Sequence, residues 1–373
     1  MRVAIAQLIP IRLPLVRPVH TANGVVAFRE GTVVRLESED GLVGRGEASP
    51  YSGFGVETTL GARAGLEVAL SKLVGCSLEE LGDAIAGQAP APCARAGLET
   101  ARLELEARRR GLPLCETLVP GASGSVRELP CNALLAEAST DELASAARRA
   151  CDAGFETLKL KVGALALEQD VERIAAIRSA LGRRPKLRLD ANQAYDIGRA
   201  RSAIDAFAPF EIEYLEQPLP ASDLEGLAAL RREASIPIAL DEGALDLAQL
   251  RSAIEHRAAD VVVIKPSAAG GPFAALAMAR LAREHGLDIA VTTLLDSAIG
   301  VAAAVHAAAA IAAEGPVRAC GLATHGHFEL DVATIGAPVN GSMEVPRSPG
   351  LGIDEDPALL SRCLADAAVE FRA

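Results

Sequence analysis

YLEQPLPASDLEGLAALRREASIPIALDEG (214–243) holds an apolar run ending in Glu216, a helical stretch, and a second apolar run ending in Asp241. A strand, a helix and two short loops fill about that length, and a parallel pair of strands would bring both carboxylates to one end. The pattern continues in both directions. Short β-branched runs lie at 132–135, 157–162, 186–190, 212–216, 237–241, 261–265, 288–292 and 317–321. Helical patterns separate them: one starts at the capping pair Ser139/Thr140 and stops at Gly154, and another spans about 166–182. Asp190 follows Lys161 by 29 residues, and Glu216, Asp241 and Lys265 follow at steps of 26, 25 and 24. Eight such units closing on themselves predict an α/β fold of the TIM-barrel type. An open doubly wound sheet would show the same alternation, but no G-x-G-x-x-G follows a first strand, which disfavours a dinucleotide fold.

The preceding region has a different texture. Residues 1–60 read as β structure, with a hairpin in which 33–36 turns through 37–41 and returns along 42–47. Residues 60–120 read as helices, and GLETARLELEARRRG (97–111) is amphipathic and stopped by Gly111 and Pro113. The 373 residues are 50% hydrophobic and 23% charged, which supports a sizeable core and excludes general disorder. Aromatic residues are only 3%, without Trp, so the core is aliphatic and stacking platforms for single-stranded nucleic acid are excluded. A net charge of −12 with no basic run argues against nucleic-acid and anionic-membrane partners. Seven scattered cysteines with no C-x-x-C favour a reducing, cytoplasmic setting over a zinc knuckle or a redox pair. The opening MRVAIAQLIPIRLPL lacks a signal-peptide core and reads as a strand. The Ala-rich stretch 298–313, interrupted by His306, is too short for a membrane span and reads as a buried helix. The helical exterior of a barrel serves solvent or a second copy equally well, so a homo-oligomer is compatible with the sequence.

Five successive runs end in charge: LKLK (158–161), LRLD (187–190), YLEQP (214–218), IALDE (238–242) and VVIKP (262–266). One charged strand end is ordinarily a solvated loop residue. Five in a row converge on the C-terminal mouth of a barrel, where active sites lie. Asp190, Glu216 and Asp241 come from three consecutive strands, and three converging carboxylates repel until one is protonated or a cation joins them. An oxygen-only donor set suits Mg²⁺, with Mn²⁺ as a substitute, rather than Zn²⁺. Lys159 and Lys161 face one side of their strand while Leu158, Leu160 and Val162 face the helices. The Lys159 ammonium disfavours protonation of Lys161, which suits Lys161 to act as a base. Lys265 rises four strand positions away. A small carboxylate substrate would lie between the two lysines, its carboxylate polarised by the cation and its neighbouring carbon-bound proton removed by a lysine.

The series LKLKVG (158–163), LDANQAY (189–195), YLEQPL (214–219), ALDEG (239–243) and VVIKPSAAGG (262–271) resembles the enolase superfamily, in its muconate-lactonizing-enzyme subgroup, over nearly the whole chain. The resemblance implies an α+β capping domain over 1–125, a modified (β/α)7β barrel over 126–325, and a C-terminal segment, 326–373, returning to the cap. It implies metal-ligand roles for Asp190, Glu216 and Asp241 and an acid/base role for Lys161. Lys159 would orient and stabilise the anion, and Lys265 would stand on the opposite face. Asn192, Ser267, Gly270, Thr293, Asp296 and Thr21 are the candidate substrate-binding residues.

Within the subgroup, HTANGVVAFREGTVVRL (20–36) and VGRGEASPYSGFGVETT (43–59) resemble the o-succinylbenzoate synthases. Those lyases dehydrate 2-succinyl-6-hydroxy-2,4-cyclohexadiene-1-carboxylate to 2-succinylbenzoate in menaquinone synthesis, and cap loops 19–26 and 52–57 would then close over the succinyl end. The alternative is an isomerase of the subgroup: an N-acylamino acid racemase, a dipeptide epimerase or a muconate cycloisomerase. Two departures bear on the choice. TTLLDSAIG (292–300) carries Asp296 where relatives carry Glu in a Glu-Ser pair. GLATHGHFELD (321–331) lacks the Asp-x-Asp with which dipeptide epimerases hold the substrate ammonium, which lowers that reading. His325 and His327 are not needed as metal ligands or as an acid/base pair, because a carboxylate triad stands elsewhere.

Overall fold

Long alternating runs near the N-terminus make the first sheet. β1 (Val3–Thr21) and β2 (Gly24–Ser38) form an antiparallel hairpin, and β3 (Val43–Ala48) pairs with β2 across the turn predicted between them. The computed structural model describes the backbone of all residues except 22, 23, 52, 54–56, 89, 90 and 138, and beyond these it leaves undescribed the side chains of 19–21, 24 and 325. Helices α1 (Thr59–Leu73), α2 (Leu81–Gly87) and α3 (Pro92–Arg110) follow, and α3 ends at Gly111 in the left-handed conformation, the stop read from the sequence. Leu8, Val34 and Leu36 of the sheet join Leu66, Leu70, Leu98 and Leu105 of the helices in a core of their own. β3 and α3 approach so closely that a Cβ on Gly46 would stand 1.9 Å from the carbonyl oxygen of Gly97. Only glycine fits there.

After α4 (Leu114–Leu118), α5 (Ala122–Ser125) and β4 (Glu128–Pro130), strand and helix alternate. The units are β5 (Asn132–Leu135), α6 (Thr140–Asp152), β6 (Thr157–Lys161), α7 (Leu167–Leu181), β7 (Lys186–Asp190), α8 (Ile197–Phe207), β8 (Ile212–Glu216) and α9 (Leu224–Glu233). They continue with β9 (Ile238–Leu240), α10 (Leu247–His256), β10 (Val261–Ile264), α11 (Pro266–Ala269), α12 (Pro272–Glu284), β11 (Asp288–Val291) and α13 (Ala298–Ala313). The seven strands β5 to β11 are parallel and hydrogen-bonded in chain order, as helical crossovers on one face of a closing sheet require. Ser139 caps α6 by accepting the Glu142 N–H, as read from the sequence.

The eighth unit differs from the expectation. Residues 317–321 form no strand but close the ring through single bridges, Cys320 to Cys131 and Gly321 to Thr292. The Cys320 N–H donates to Pro130 O at 2.6 Å, and Pro130 has no N–H to return, which limits the ladder on that side. β9 and β10 also stop one residue early, so Asp241 and Lys265 begin the following turns.

The inside of the ring is lined by Tyr214, Ala239, Val261, Val263 and Ala290, and the small residues leave room at the mouth. α13 is buried along nearly its whole length. Its His306 accepts the Cys115 N–H at Nδ1 (3.3 Å) and meets Leu351 O at Nε2, and burial lowers its pKa to about 4. It is a neutral core histidine. No described helix is long and apolar enough to cross a membrane. After α13 come β12 (Ser342–Glu344), which pairs with β4, α14 (Pro357–Cys363) and β13 (Val369–Arg372). β13 pairs with β1, giving the first sheet the order β13-β1-β2-β3.

Two carboxylates from the N-terminal region finish helices of the barrel. Helix N-termini carry orphan N–H groups. Glu47 of β3 accepts the N–H groups of Ser297 (3.0 Å) and Gly300 (2.9 Å) at the start of α13. Glu99 of α3 accepts the Phe273 N–H at 2.8 Å in the first turn of α12. Glu99→Ala should therefore destabilise the whole chain by about 0.5–2 kcal/mol, the range for a lost N-cap. The check is urea unfolding. A lower midpoint in one transition with an unchanged slope is expected, and an unchanged midpoint would show that water replaces the carboxylate.

Candidate active site

The mouth of the barrel is built by register. In the parallel ladder Lys161 stands beside Asp190, and Asp190 beside Glu216, while Lys159, Arg188 and Tyr214 form the layer beneath. A strand presents alternate residues to one face, so each charged residue here has an apolar neighbour pointing to the helices. Leu158, Leu160, Leu187, Leu189 and Leu215 are all buried on that other face.

The lysines and carboxylates bond to one another. Lys159 Nζ donates to Glu216 Oε1 at 2.5 Å and lies 3.0 Å from Asp190 Oδ2. Lys161 Nζ reaches Asp190 Oδ2 at 3.3 Å and donates to Asn192 Oδ1. Lys265 Nζ, at the end of the adjacent strand, donates to Asp241 Oδ1. All three lysines, the three carboxylates and Asn192 line one pocket.

Burial disfavours every charge in this ring, and the neighbours decide each outcome. The Asp190 carboxylate is opposed by burial, but Lys159 and Lys161 outweigh it and hold it well below the usual range. Burial would lower the Lys159 ammonium, yet Asp190 and Glu216 raise it well above the ordinary value. Burial and the Asp190 charge push Glu216 up to about 7. Glu242, which the sequence reading passed over although it ends IALDE, is pushed up to about 8 by burial and by Asp241. Its Oε1 accepts from Asn192 Nδ2 at 3.2 Å.

Among the described residues, no three His, Cys, Asp or Glu side chains are gathered to hold a metal as they stand, for each of the three carboxylates turns toward a lysine. The donor chemistry still fits a hard divalent cation. Glu216 Oε2 and Glu242 Oε2 are buried with no hydrogen-bond partner, and every candidate donor is an oxygen.

The other sequence candidates divide. Thr293 lines the pocket, and its hydroxyl lies 3.1 Å from that of Thr324. Ser267 does not line it, because its hydroxyl donates to Asp296 Oδ2 at 3.1 Å. Gly270 ends α11 with φ of +98° and also stands outside the pocket lining. Asp296 turns away from the pocket to accept the Leu294 N–H at 3.2 Å. The side chain of Thr21 lies outside the described residues, as do Ser52 and residues 54–56 of the expected cap loops. Of those loops and their flanks, Val26 and Tyr51 line the pocket, whereas Glu57 caps α3 by accepting the Cys93 N–H at 2.8 Å. His327 lines the pocket wall, away from the carboxylate ring in sequence. Sequence reasoning also missed Arg188, two residues before Asp190 on the same face. It is buried, donates to Glu213 (2.6 Å) and Ala319 O (2.6 Å), and lies 4.8 Å from the Tyr214 ring. Period-two alternation in LRLD was the signal for it.

The fold and the ring together define a barrel with paired lysines facing strand-end carboxylates. The sequence matches the family described as enolase C-terminal domain-like over residues 142–359 and the mandelate racemase/muconate lactonizing enzyme N-terminal domain over 6–118. The chain belongs to the enolase superfamily, in the muconate-lactonizing-enzyme subgroup, and is an enzyme of that group. It is 32% identical over 344 residues to a hydrophobic dipeptide epimerase of Enterococcus faecalis, covering 90% of this chain and 92% of that protein. It is 40% identical over 225 residues to an o-succinylbenzoate synthase of Thermobifida fusca, covering 59% of this chain and 67% of that one. A crystal structure of a dipeptide epimerase from Enterococcus faecalis, complexed with Mg and the dipeptide L-Leu-L-Tyr, superposes with a TM-score of 0.88 at 29% identity, covering 95% of this chain and 100% of that one.

Asp296 offers a pH test apart from the ring. Burial, then the Glu47 charge, raises its pKa from 3.8 to about 7. Between those values the folded state holds a proton that the unfolded state has lost, so stability falls as pH rises from about 4 to about 7 and then levels. Asp296→Asn should remove at least about 1 kcal/mol of that fall. Urea midpoints of both proteins at pH 5 and pH 8 are the measurement, and parallel pH profiles would refute the shift.

Proposed function

We propose that this enzyme dehydrates a small carboxylate by the o-succinylbenzoate synthase reaction, using Lys161 as the acid/base. The observation that carries the reading is the distribution of carboxylates around the pocket. Among the described lining residues, every carboxylate belongs to the lysine-paired ring or to Glu242 beside it. The last barrel segment offers Gly321, Ala323, Thr324 and His327, and no anion. Of the two acids beyond it, Glu329 is exposed and Asp331 accepts the Ala298 N–H at 3.0 Å at the start of α13. A dipeptide's ammonium placed against the described residues of that segment would meet no anion, at a penalty of several kcal/mol. The identity to the Thermobifida fusca synthase supports the same choice.

Asp190, Glu216 and Asp241 would hold Mg²⁺, which when bound polarises the substrate carboxylate and makes the adjacent carbon-bound proton more acidic. Lys161 takes that proton. Its ammonium then returns a proton to the hydroxyl leaving the neighbouring carbon on the same face, so the substrate loses one hydrogen and one hydroxyl as water. Asn192 and Asp190 hold the Lys161 amine in place. Lys159, bonded to Asp190 and Glu216, keeps positive charge beneath the developing anion. Lys265, on the other side of the ring, adds charge from the opposite face.

That opposite lysine supports a second reading. Two lysines flanking one pocket can move a proton from one face of a carbon to the other, which is racemisation. An N-acylamino acid has no ammonium to strand, so the pocket admits it.

Chelation is expected to abolish turnover, and Mg²⁺ or Mn²⁺ to restore it. Full activity of demonstrably metal-free protein would remove the triad from the mechanism. Lys161→Ala is expected to lose both dehydration and exchange of the substrate proton with deuterated water. Lys265→Ala should lose about 10²–10³-fold in turnover, as for removal of one anion-stabilising donor. Exchange retained in Lys161→Ala but lost in Lys265→Ala would put the base on the other face. Comparison of kcat/KM for the cyclohexadiene carboxylate, an N-succinylamino acid and a dipeptide decides among the reactions, and the dipeptide is expected to come last.

A further inference from the structure

Lys161 is the last residue of β6, and its strand outruns one neighbour, for β5 stops at Leu135 opposite Leu160. The turn that follows is held from behind by α7. Asp170 and Arg173 stand three apart on that helix and so share a face. Arg173 Nη1 donates to the Lys161 carbonyl at 2.9 Å and to Asp170 Oδ1 at 3.0 Å. Asp170 Oδ2 accepts the Gly163 N–H at 2.7 Å. One ion pair thus grips the carbonyl before the turn and the N–H two residues on. Asp170 is fully buried, Arg173 is 9% exposed, and neither lines the pocket.

The turn is also pressed against the loop that receives the Lys161 amine. Gly163 has φ of +88°, and a Cβ on it would stand 2.6 Å from the Ala194 Cβ. Ala194 lies two residues beyond Asn192, whose Oδ1 accepts from Lys161 Nζ. Asn192 is itself left-handed, with φ of +42°, a conformation that persists where its surroundings over-determine it. Both ends of the Lys161–Asn192 bond therefore sit on backbones fixed by close packing. Arg173 keeps its place at a cost, since its Nε is buried without a hydrogen-bond partner. Apolar packing alone would not need a guanidinium there, whereas a planar fork of donors meets a carboxylate and a carbonyl together. Lys265 has a different support. Its carbonyl accepts the Ala269 N–H at 2.8 Å in the helix that follows directly, and α7 packs chiefly against α6 and α8.

We propose that Asp170 and Arg173 are positioning residues that fix the Lys161–Gly163 turn and so keep the Lys161 amine at Asn192, aimed at one face of the substrate. The inference rests on the acid/base role given to Lys161 above. A proton passes only over a short, aligned contact, so a loosened turn slows transfer on the Lys161 face and spares substrate binding. Transfer by Lys265 on the other face stays as it was. The pair thus governs one of the two proton-transfer faces and not the other.

The test uses the full chain with Arg173→Lys, with Arg173→Met, and with Arg173→Met and Asp170→Asn combined, which leaves no buried carboxylate unpaired. On the cyclohexadiene carboxylate, kcat should fall about 10–100-fold with KM within about threefold, as for a reacting group misplaced by about 1 Å. An N-succinylamino acid supplies the internal control. Lys161→Ala and Lys265→Ala assign each enantiomer to the lysine that removes its proton. In deuterated water the variants should slow proton exchange of the enantiomer assigned to Lys161 by the same factor. Exchange of the enantiomer assigned to Lys265 should stay within about twofold. Amide hydrogen exchange should accelerate across residues 161–164, with α10 unchanged. A purely structural role would lower stability and slow both enantiomers alike. That result, or unchanged amide exchange at the turn, overturns the proposal. If the natural sequence acts on neither substrate, the dehydratase reading fails, and amide exchange alone decides whether the pair holds the turn.

Discussion

Opposite charges share a ring at the barrel mouth from which water is largely removed, and their balance constrains everything around them. An ionised carboxylate in such a place is expensive unless an ammonium faces it. Lys159 meets this need for Asp190 and Glu216 at once. The pairing works in one register only, because a slip of one residue would send Lys161, Asp190 and Glu216 out to the helices and bring Leu160, Leu189 and Leu215 into the mouth. Strand pairing, core packing and chemistry are thus one specification. The barrel cannot slide without burying charge against its helices.

The ring also explains why this mouth suits a divalent cation. Three ammonium groups leave Glu216 and Glu242 each with an oxygen that nothing satisfies. Burial first, and the neighbouring Asp190 and Asp241 charges second, raise their pKa values to about 7 and about 8. Around this centre the N-terminal sheet acts less as a lid than as a second half of the scaffold. Glu47 and Glu99 complete barrel helices, and Arg29 of the sheet donates to the Leu295 carbonyl in the barrel.

Much of this was readable from the residues because it is local. LKLK and LRLD announce both the strand and the face on which its charges stand, and the near-constant step from Lys161 to Lys265 announces the repeat. The closing segment was less readable. Residues 317–321 carry an apolar pattern but close the ring by single bridges beside Pro130, a neighbour that no local pattern reveals. Contacts across the chain were invisible for the same reason. Glu47 and Ser297 are 250 positions apart, and Arg29 and Leu295 are 266. Asp296 and Ser267 were candidates by motif position, which indicates a loop and not the direction of a side chain. The two bond to each other instead of facing the pocket.

The pairing of β13 with β1 has a consequence for synthesis. Gln7 and Glu370, bonded at 2.7 Å, are 363 positions apart, so β1 leaves the ribosome with one edge open until almost all of the described chain has followed. An open edge invites a strand from another molecule. Pro10 and Pro14 sit along that strand, and each withholds the N–H that an invading ladder would require. Pro10 still serves the finished protein, since its carbonyl accepts the Ala365 N–H at 3.0 Å once that residue arrives. The same residue that deters a stranger during the wait thus receives the chain's own later segment.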